Sequence, residues 1–220
     1  MPRIFTKFLP TGKGRATLLS KRVRLYDSSV SDSRMKISKT LTVATRAEWR
    51  RWLKHNYQTE KEIWLVYQRA HTGKARLSYN DAVEEALCFG WIDSNVKSLD
   101  DQRVAQKFSP RRPRSRYSQT NKERLSRLVK AHKVPKTVLA ELGNIDPGRF
   151  KTPPDILQAL KSNRQAWRNF QKYSPSYRRI RIAFVDGARK RPAEFQKRLR
   201  YLLRMTEQDK QFGYGIEKFY

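Results

Sequence analysis

Cysteine is nearly absent from this chain of 220 residues, and histidine, glycine and proline are scarce. The single cysteine, Cys88, excludes an intrachain disulfide and a cysteine-based zinc site. Nine glycines and ten prolines are too few for a collagen-like or low-complexity chain. No apolar run approaches the length of a membrane span, so the sequence predicts no transmembrane segment. The histidines lie far apart and lack metal-ligand spacing, so no metal site is predicted: His55, His71 and His132.

Sequence motifs that bind cofactors or position a catalytic nucleophile are also missing. There is no Gly-x-Gly-x-x-Gly sequence, no Gly-Lys-Ser/Thr phosphate loop and no Gly-x-Ser-x-Gly elbow. Cys88 lies between Leu87 and Phe89 on the apolar side of a predicted helix, without a base in view. Such a thiol is typical of a buried core residue. The sequence therefore favours a non-catalytic protein without a cofactor.

Acidic residues are few as well. The chain has 49 Lys and Arg against 20 Asp and Glu, a formal net charge of +29. Residues 41–101 are neutral with nine charges of each sign, whereas residues 102–220 carry thirty basic and nine acidic groups. This asymmetry favours an anionic partner, either nucleic acid or an envelope component such as a membrane surface. The alternative is a basic host proteome, or Arg stems that cover apolar surface. The oligomeric state cannot be derived from these features.

Residues 1–35 differ in composition from the rest of the chain. They are rich in Arg, Lys and Ser and lack an apolar period, so we predict a basic, disordered N-terminal extension. Their apolar runs are too short for a secretory signal, although the composition overlaps that of an organelle transit peptide. A further interpretation is that the natural chain starts at Met35.

Residues 36–134 predict an α+β domain with N-terminal helices and a small, mostly antiparallel sheet. Thr45 and Glu48 form a capping box before a first helix, and the apolar run 63–67 predicts a strand covered on both faces. Ser78 caps a second helix, which ends at Gly90.

A predicted hairpin follows, with strands at 91–99 and 103–109 and a bend at Asp100-Asp101. The next segment, 109–118, is rich in Pro and Arg and cannot be regular. A second capping box, Thr120 with Glu123, predicts the start of another helix.

Residues 135–220 show only helical periodicity and predict an all-helical C-terminal half. The aromatic tail from Gln211 either packs on the body or forms a loose end. The predicted fold class is therefore α+β, with the sheet confined to the front.

The stretch 86–94, Ala-Leu-Cys-Phe-Gly-Trp-Ile-Asp-Ser, resembles the signature of the YdeI/OmpD-associated family, also called bacteriocin-protection proteins. Residues 108–113, Phe-Ser-Pro-Arg-Arg-Pro, resemble its Pro-Arg-rich loop, and Tyr177-Arg178-Arg179 resembles its C-terminal helical part. Tyr117 stands where the family commonly has Trp. The likeness spans about residues 36–215. It implies a soluble stress or bacteriocin-protection protein, which we expect in the cytoplasm.

Asp93 is the most informative polar residue, because an unpaired carboxylate on a largely apolar strand is costly. Its expected partner is Arg111 or Arg112. One interpretation is an ion pair that fixes the loop to the sheet. The other is a ligand or anion pocket roofed by Trp91, which would also serve an enzyme in an alternative interpretation. The candidate pocket residues are Trp91, Asp93, Ser94, Lys97, Arg111, Arg112 and Ser115.

A second group of candidates would bind a polyanion. Arginine forks match phosphates bidentately and stack on bases, which is why nucleic acid binding is the main alternative function. The competing interpretation is a solvated helix face. The candidate residues are Arg114, Arg116, Tyr117, Arg178, Arg179, Arg181, Arg189, Lys190 and Arg191.

Overall fold

The structure is a computed structural model that describes residues 37–73, 76–113 and 115–220. The predicted extension at 1–35 and the candidate Arg114 lie outside these residues. The described chain is an α+β fold, as predicted from the sequence, with one four-stranded mixed sheet and eight α-helices.

The sheet has the strand order β1-β2-β4-β3. The hairpin of β3 and β4 confirms the prediction, and β4 also pairs antiparallel with β2. The first strand was not predicted, because three residues are too few to show an alternating pattern; it pairs parallel with β2. The strands are β1 (Thr40–Thr42), β2 (Ile63–Gln68), β3 (Trp91–Ser98) and β4 (Arg103–Pro110).

Local capping explains where most of the front helices begin. The predicted box before α1 is present: the Thr45 hydroxyl accepts from the amide of Glu48 at 3.2 Å, and the Glu48 carboxylate accepts from the Thr45 amide at 3.1 Å. Ser78 caps α2 as predicted. The second predicted capping box, Thr120 with Glu123, is wrong, because Ser118 caps α3. The helices are α1 (Arg46–Asn56), α2 (Tyr79–Cys88), α3 (Gln119–Lys130), α4 (Lys136–Glu141), α5 (Pro154–Ser162), α6 (Arg164–Lys172), α7 (Pro175–Asp186) and α8 (Pro192–Glu207).

The first hydrophobic core lies between the sheet and helices α1 to α4. The Trp49 ring packs on Phe108 with centroids 5.4 Å apart, and its indole N–H donates to the carbonyl of Ala82 at 3.0 Å. This core runs from Trp49 to Leu142, just beyond α4. Burying each large side chain contributes roughly 1.5–3 kcal/mol to folding.

A second hydrophobic core joins α5 to α8 and the chain's last residues. It contains Ile156 and Phe170, and the tail adds Ile216 and Phe219. The predicted aromatic tail therefore packs on the body and is not a loose end.

Two nearly buried carboxylates link the helices of the first core. Glu84 and Glu85 of α2 are each 2% exposed. Such charges require partners, because desolvating a lone carboxylate is expensive. The partners come from α1, α3 and the tail: Arg46, Arg50, Arg127 and Lys218.

Candidate functional site

A cavity of about 550 Å³ lies where the α2–β3 turn, the loop after β4, the end of α1 and helix α4 meet. Its walls are largely aromatic and apolar, which is typical of small-ligand sites. One cation and one carboxylate, Arg111 and Glu141, are among the lining residues. The lining consists of Tyr57, Gln58, Phe89, Gly90, Trp91, Pro110, Arg111, Pro113, Tyr117, Thr137, Val138, Glu141 and Leu142.

The turn between α2 and β3 supplies one wall of the cavity. Gly90 has φ +73°, a left-handed conformation that favours glycine and ends α2. Trp91 then begins β3 and is 1% exposed. Its indole N–H donates to the carbonyl of Tyr57 at 3.1 Å, which ties this wall to the end of α1.

Arg111 is held in place from three sides. Its amide donates to the carbonyl of Gly90 at 2.9 Å. Its Nη1 donates to the Ser115 hydroxyl at 2.8 Å and to the Ser115 carbonyl. The guanidinium lies 4.0 Å from the ring centroid of Tyr117, a cation–π contact. The loop sequence therefore fixes one arginine at the cavity.

Tyr117 supports Arg111 from a buried position and is not an outward-facing base-stacking ring. Burial raises the pKa of its hydroxyl, although the neighbouring Arg111 opposes that rise. The tyrosine is therefore neutral and acts through its ring face.

Asp93 has partners other than those expected. Its Oδ2 accepts from the hydroxyl of Tyr79 at 3.1 Å and from the amide of Gln106 at 2.9 Å. In the β3–β4 register, Asp93 lies opposite Phe108. Phe108 precedes Arg111 by three residues in the chain. Among the described contacts there is no Asp93–Arg111 or Asp93–Arg112 ion pair, and Asp93 does not line the cavity.

The other predicted pocket residues are divided between the cavity and the sheet. Ser94 donates to the carbonyl of Lys107 at 3.4 Å, and the Lys97 ammonium lies 6.0 Å from the ring centroid of Trp64. Neither lines the cavity. Ser115 accepts a hydrogen bond from Arg111 without lining the cavity itself. Arg112 is exposed and does not line the cavity. The structure thus brings together Trp91, Arg111 and Ser115.

Sequence reasoning missed the wall opposite Gly90. It is formed by α4 with Thr137, Val138 and Glu141. A methyl group on Gly90 would lie 3.7 Å from Val138. No local signal in the sequence places a helix nearly fifty residues later beside this turn.

Two of the predicted polyanion-binding residues are paired with carboxylates of the chain itself. Arg179 donates to both carboxylate oxygens of Glu123, at 2.6 and 2.9 Å. Arg189 contacts Asp155 at 2.9 Å and Asp186 at 2.7 Å.

Arg181 is buried, whereas four other candidate cations are exposed or half-buried. In the described part of the chain these other cations have no ion-pair partner: Arg116, Arg178, Lys190 and Arg191.

Helix α8 presents cations that the sequence analysis did not single out. Lys197, Arg200 and Arg204 are exposed and follow spacings of three and four residues, so they lie on one helical stripe. None of them forms an ion pair with a described residue. Together with Lys190 and Arg191 at the start of the helix, they define the basic face of α8.

The chain's thiol is protected. Cys88 is buried, and burial raises the pKa of its thiol to about 11. It is therefore protonated at neutral pH, which agrees with the interpretation as a core residue. Within residues 37–73, 76–113 and 115–220, no group of three His, Cys, Asp or Glu residues could hold a metal ion.

Comparisons with known proteins divide the chain in two. Residues 149–209, which contain α5 to α8, match the family described as "Bacteriocin-protection, YdeI or OmpD-Associated". Residues 41–141 match a "Domain of unknown function (DUF8412)". No curated protein and no solved structure matches the chain. The predicted resemblance to the YdeI/OmpD-associated family is thus confirmed over the C-terminal helices.

The two motifs that first suggested that resemblance lie elsewhere. The box around Gly90 and the Pro-Arg-rich loop both fall in the segment that matches the domain of unknown function. The cavity therefore belongs to that segment, and the basic face of α8 belongs to the bacteriocin-protection segment.

None of the described helices is both long and apolar enough to cross a bilayer.

Proposed function

We propose that this chain is a non-catalytic binding protein that attaches to an anionic partner through the basic face of α8. The observation that carries the proposal is the stripe of Lys197, Arg200 and Arg204, three exposed cations that form no ion pair with a described residue. Such a stripe attracts polyanions, because each phosphate it neutralises releases counterions.

Several other cations of the C-terminal half are neutralised by carboxylates. On another side of α8, Arg198 donates to Glu194 at 2.8 Å and to the carbonyl of Phe184 at 2.8 Å. Arg179 and Arg189 are also paired with carboxylates. Arg200 and Arg204, in contrast, form no ion pair with a described residue and remain available to an anionic partner.

The family likeness supports a protective role. The basic face of α8 lies inside the segment that matches the bacteriocin-protection family. We propose that the chain contributes to bacteriocin or stress resistance by occupying an anionic component of the cell, and that nucleic acid is the main alternative partner.

A charge-reversal variant tests this proposal. Changing Lys197, Arg200 and Arg204 to Glu should abolish retention on heparin at moderate salt. With duplex DNA as the probe, the slope of log affinity against log salt should fall by about 2.7 for three lost contacts. Anionic vesicles replace DNA in a parallel arm, which identifies an envelope partner.

A matched variant controls for net charge alone. Arg51, Lys54 and Lys61 are exposed cations in the front half, and changing them to Glu gives the same change in charge. The control should keep most of its binding. Equal weakening of both variants would contradict a specific role for the basic face of α8.

The cavity supports a second candidate function, the binding of a small ligand with an apolar body and one anionic group. The observation that favours it is Arg111, which Ser115 and Tyr117 fix at an aromatic cavity. Benzoate is a suitable probe, because it joins a planar ring to a carboxylate.

Tryptophan fluorescence tests the cavity. Benzoate should change the emission of the wild type saturably, since Trp91 lines the cavity. Arg111→Ala should lose this response, and Arg112→Ala should keep it, because Arg112 is exposed and does not line the cavity. Loss in both variants, or in neither, would count against the site.

A further inference from the structure

Arg181 of α7 is a buried cation without a counter-ion. It is 7% exposed, and no described residue accepts a hydrogen bond from it or pairs with it. Its Nε is fully buried and has no partner. Buried charges in proteins are normally paired, because removing a charge from water costs several kcal/mol. A buried arginine normally has an anionic, hydrogen-bonding partner, and Arg181 has none among the described residues.

Aromatic rings lie close to this guanidinium. Its central carbon lies 4.9 Å from the ring centroid of Phe184 and 4.8 Å from that of Phe212. Burial lowers the pKa of Arg181, and the nearby Arg198 lowers it further. The rings compensate part of the lost hydration through cation–π contacts. They cannot accept the in-plane N–H bonds, and the buried Nε–H has no acceptor among the described residues.

The tail approaches the guanidinium closely at Gly213. A methyl group on this glycine would lie 3.0 Å from Nη1 of Arg181 and 2.7 Å from Ile216. Glycine is therefore needed where the backbone passes the arginine. Unlike Nε, the two Nη atoms are not sealed from solvent. In the described part of the chain, a ligand can approach the guanidinium at this Nη edge.

We propose that Arg181 binds a compact oxyanion, the carboxylate or phosphate group of a small ligand, at the Nη edge between α7, α8 and the tail. The fork of an arginine matches such a group with two parallel hydrogen bonds. Because Arg181 is only 7% exposed, its guanidinium suits a small anion better than a polymer. Arg198, whose guanidinium lies 4.0 Å from the Phe184 centroid, adds a second positive charge nearby. The inference is independent of the basic face of α8.

Thermal unfolding with two probe anions tests the inference. Inorganic phosphate and acetate are titrated at constant ionic strength, with chloride as the reference anion. In the wild type, at least one of them should raise the Tm by a saturating amount. Comparison of the two distinguishes a phosphate site from a carboxylate site.

Arg181→Met should abolish this rise and, without the probe, should be at least as stable as the wild type, because an unpaired buried charge is gone. Arg181→Lys keeps the charge but loses the fork, and should bind the anion about tenfold more weakly. This milder change preserves the test if the Met variant fails to fold. Arg51→Met, at an exposed cation of α1 outside both proposed binding surfaces, is the control and should respond like the wild type.

Two results would overturn the inference. One is a wild type whose Tm is insensitive to both anions. The other is an equal anion response in the wild type and in the Arg181 variants, which would show that surface charge alone is responsible.

Discussion

At the scale of single residues, the cavity and Asp93 are separate sites. Arg111 depends on Ser115 and Tyr117, whereas Asp93 depends on Tyr79 and Gln106. These partner sets share no member. The ion pair expected from the sequence would have joined them into one unit, and the structure instead gives each charge its own local partners.

A double-mutant cycle measures this independence. Asp93→Asn and Arg111→Ala should each change the free energy of unfolding, and the double variant should equal their sum within about 0.5 kcal/mol, because sites without shared partners are additive. Urea unfolding of the four proteins gives the coupling. A coupling above about 1 kcal/mol would mean that the two residues interact directly.

The outcome for these residues shows what a sequence can predict. Thr45 with Glu48, Ser78 and Gly90 act within a few residues of themselves, and their roles were predicted from spacing alone. The bond between Glu123 and Arg179 spans 56 residues. Local spacing carries no information on such a pair, and this is why Glu123 was misassigned to a capping box.

The walls of the cavity also differ in whether local sequence predicts them. The walls that contain Gly90 and Arg111 are formed by local turns, and the sequence motifs at 86–94 and 108–113 mark these turns. The α4 wall depends on how a distant helix packs, which the composition of Thr137 and Val138 does not reveal.

At the scale of secondary-structure elements, one ionic contact joins α3 to α7. The Glu123 carboxylate accepts from Arg179 and from the hydroxyl of Ser176 at 2.8 Å. Burial alone would raise the pKa of Glu123. Hydrogen bonds from Arg179, Ser176 and Gln119 outweigh burial and hold this pKa below its usual value of 4.5. The contact therefore stabilises the fold above that pH.

Acid unfolding tests this contact. Because the folded pKa is depressed, its stabilisation should be complete above the unfolded pKa and should be lost as the pH falls through the folded pKa. Glu123→Gln should cost about 3 kcal/mol at pH 7, because it leaves Arg179 unpaired beside a buried site. It should also flatten the loss of stability toward acid. Glu194→Gln, at a half-buried pair within α8 whose carboxylate is far more accessible than that of Glu123, should cost less.

At the scale of the whole molecule, the tail connects the two hydrophobic cores. Ile216 and Phe219 belong to the second core, while Lys218 reaches Glu84 of α2 and the carbonyl of Gly215 accepts from Arg124 of α3 at 2.6 Å. The last ten residues therefore couple the sheet-containing part to the helical part.

Truncating one side chain of the tail should destabilise both parts. Phe219→Ala should lower the free energy of unfolding by about 3 kcal/mol, because it leaves a cavity in the second core. Tyr214→Ala should cost under about 1 kcal/mol, because Tyr214 is 81% exposed. Calorimetry supplies both values. Similar effects of the two variants would contradict the proposed anchoring by Phe219.

Because Cys88 is buried, the reactivity of its thiol reports on the opening of the first hydrophobic core. Because no other thiol exists in the chain, a maleimide or disulfide reagent can react only when the sheet-side core opens. The rate of labelling in native buffer then gives the opening frequency of that core directly, without an added fluorophore. Cysteines introduced at surface positions would react far sooner, so they could be labelled selectively for distance measurements.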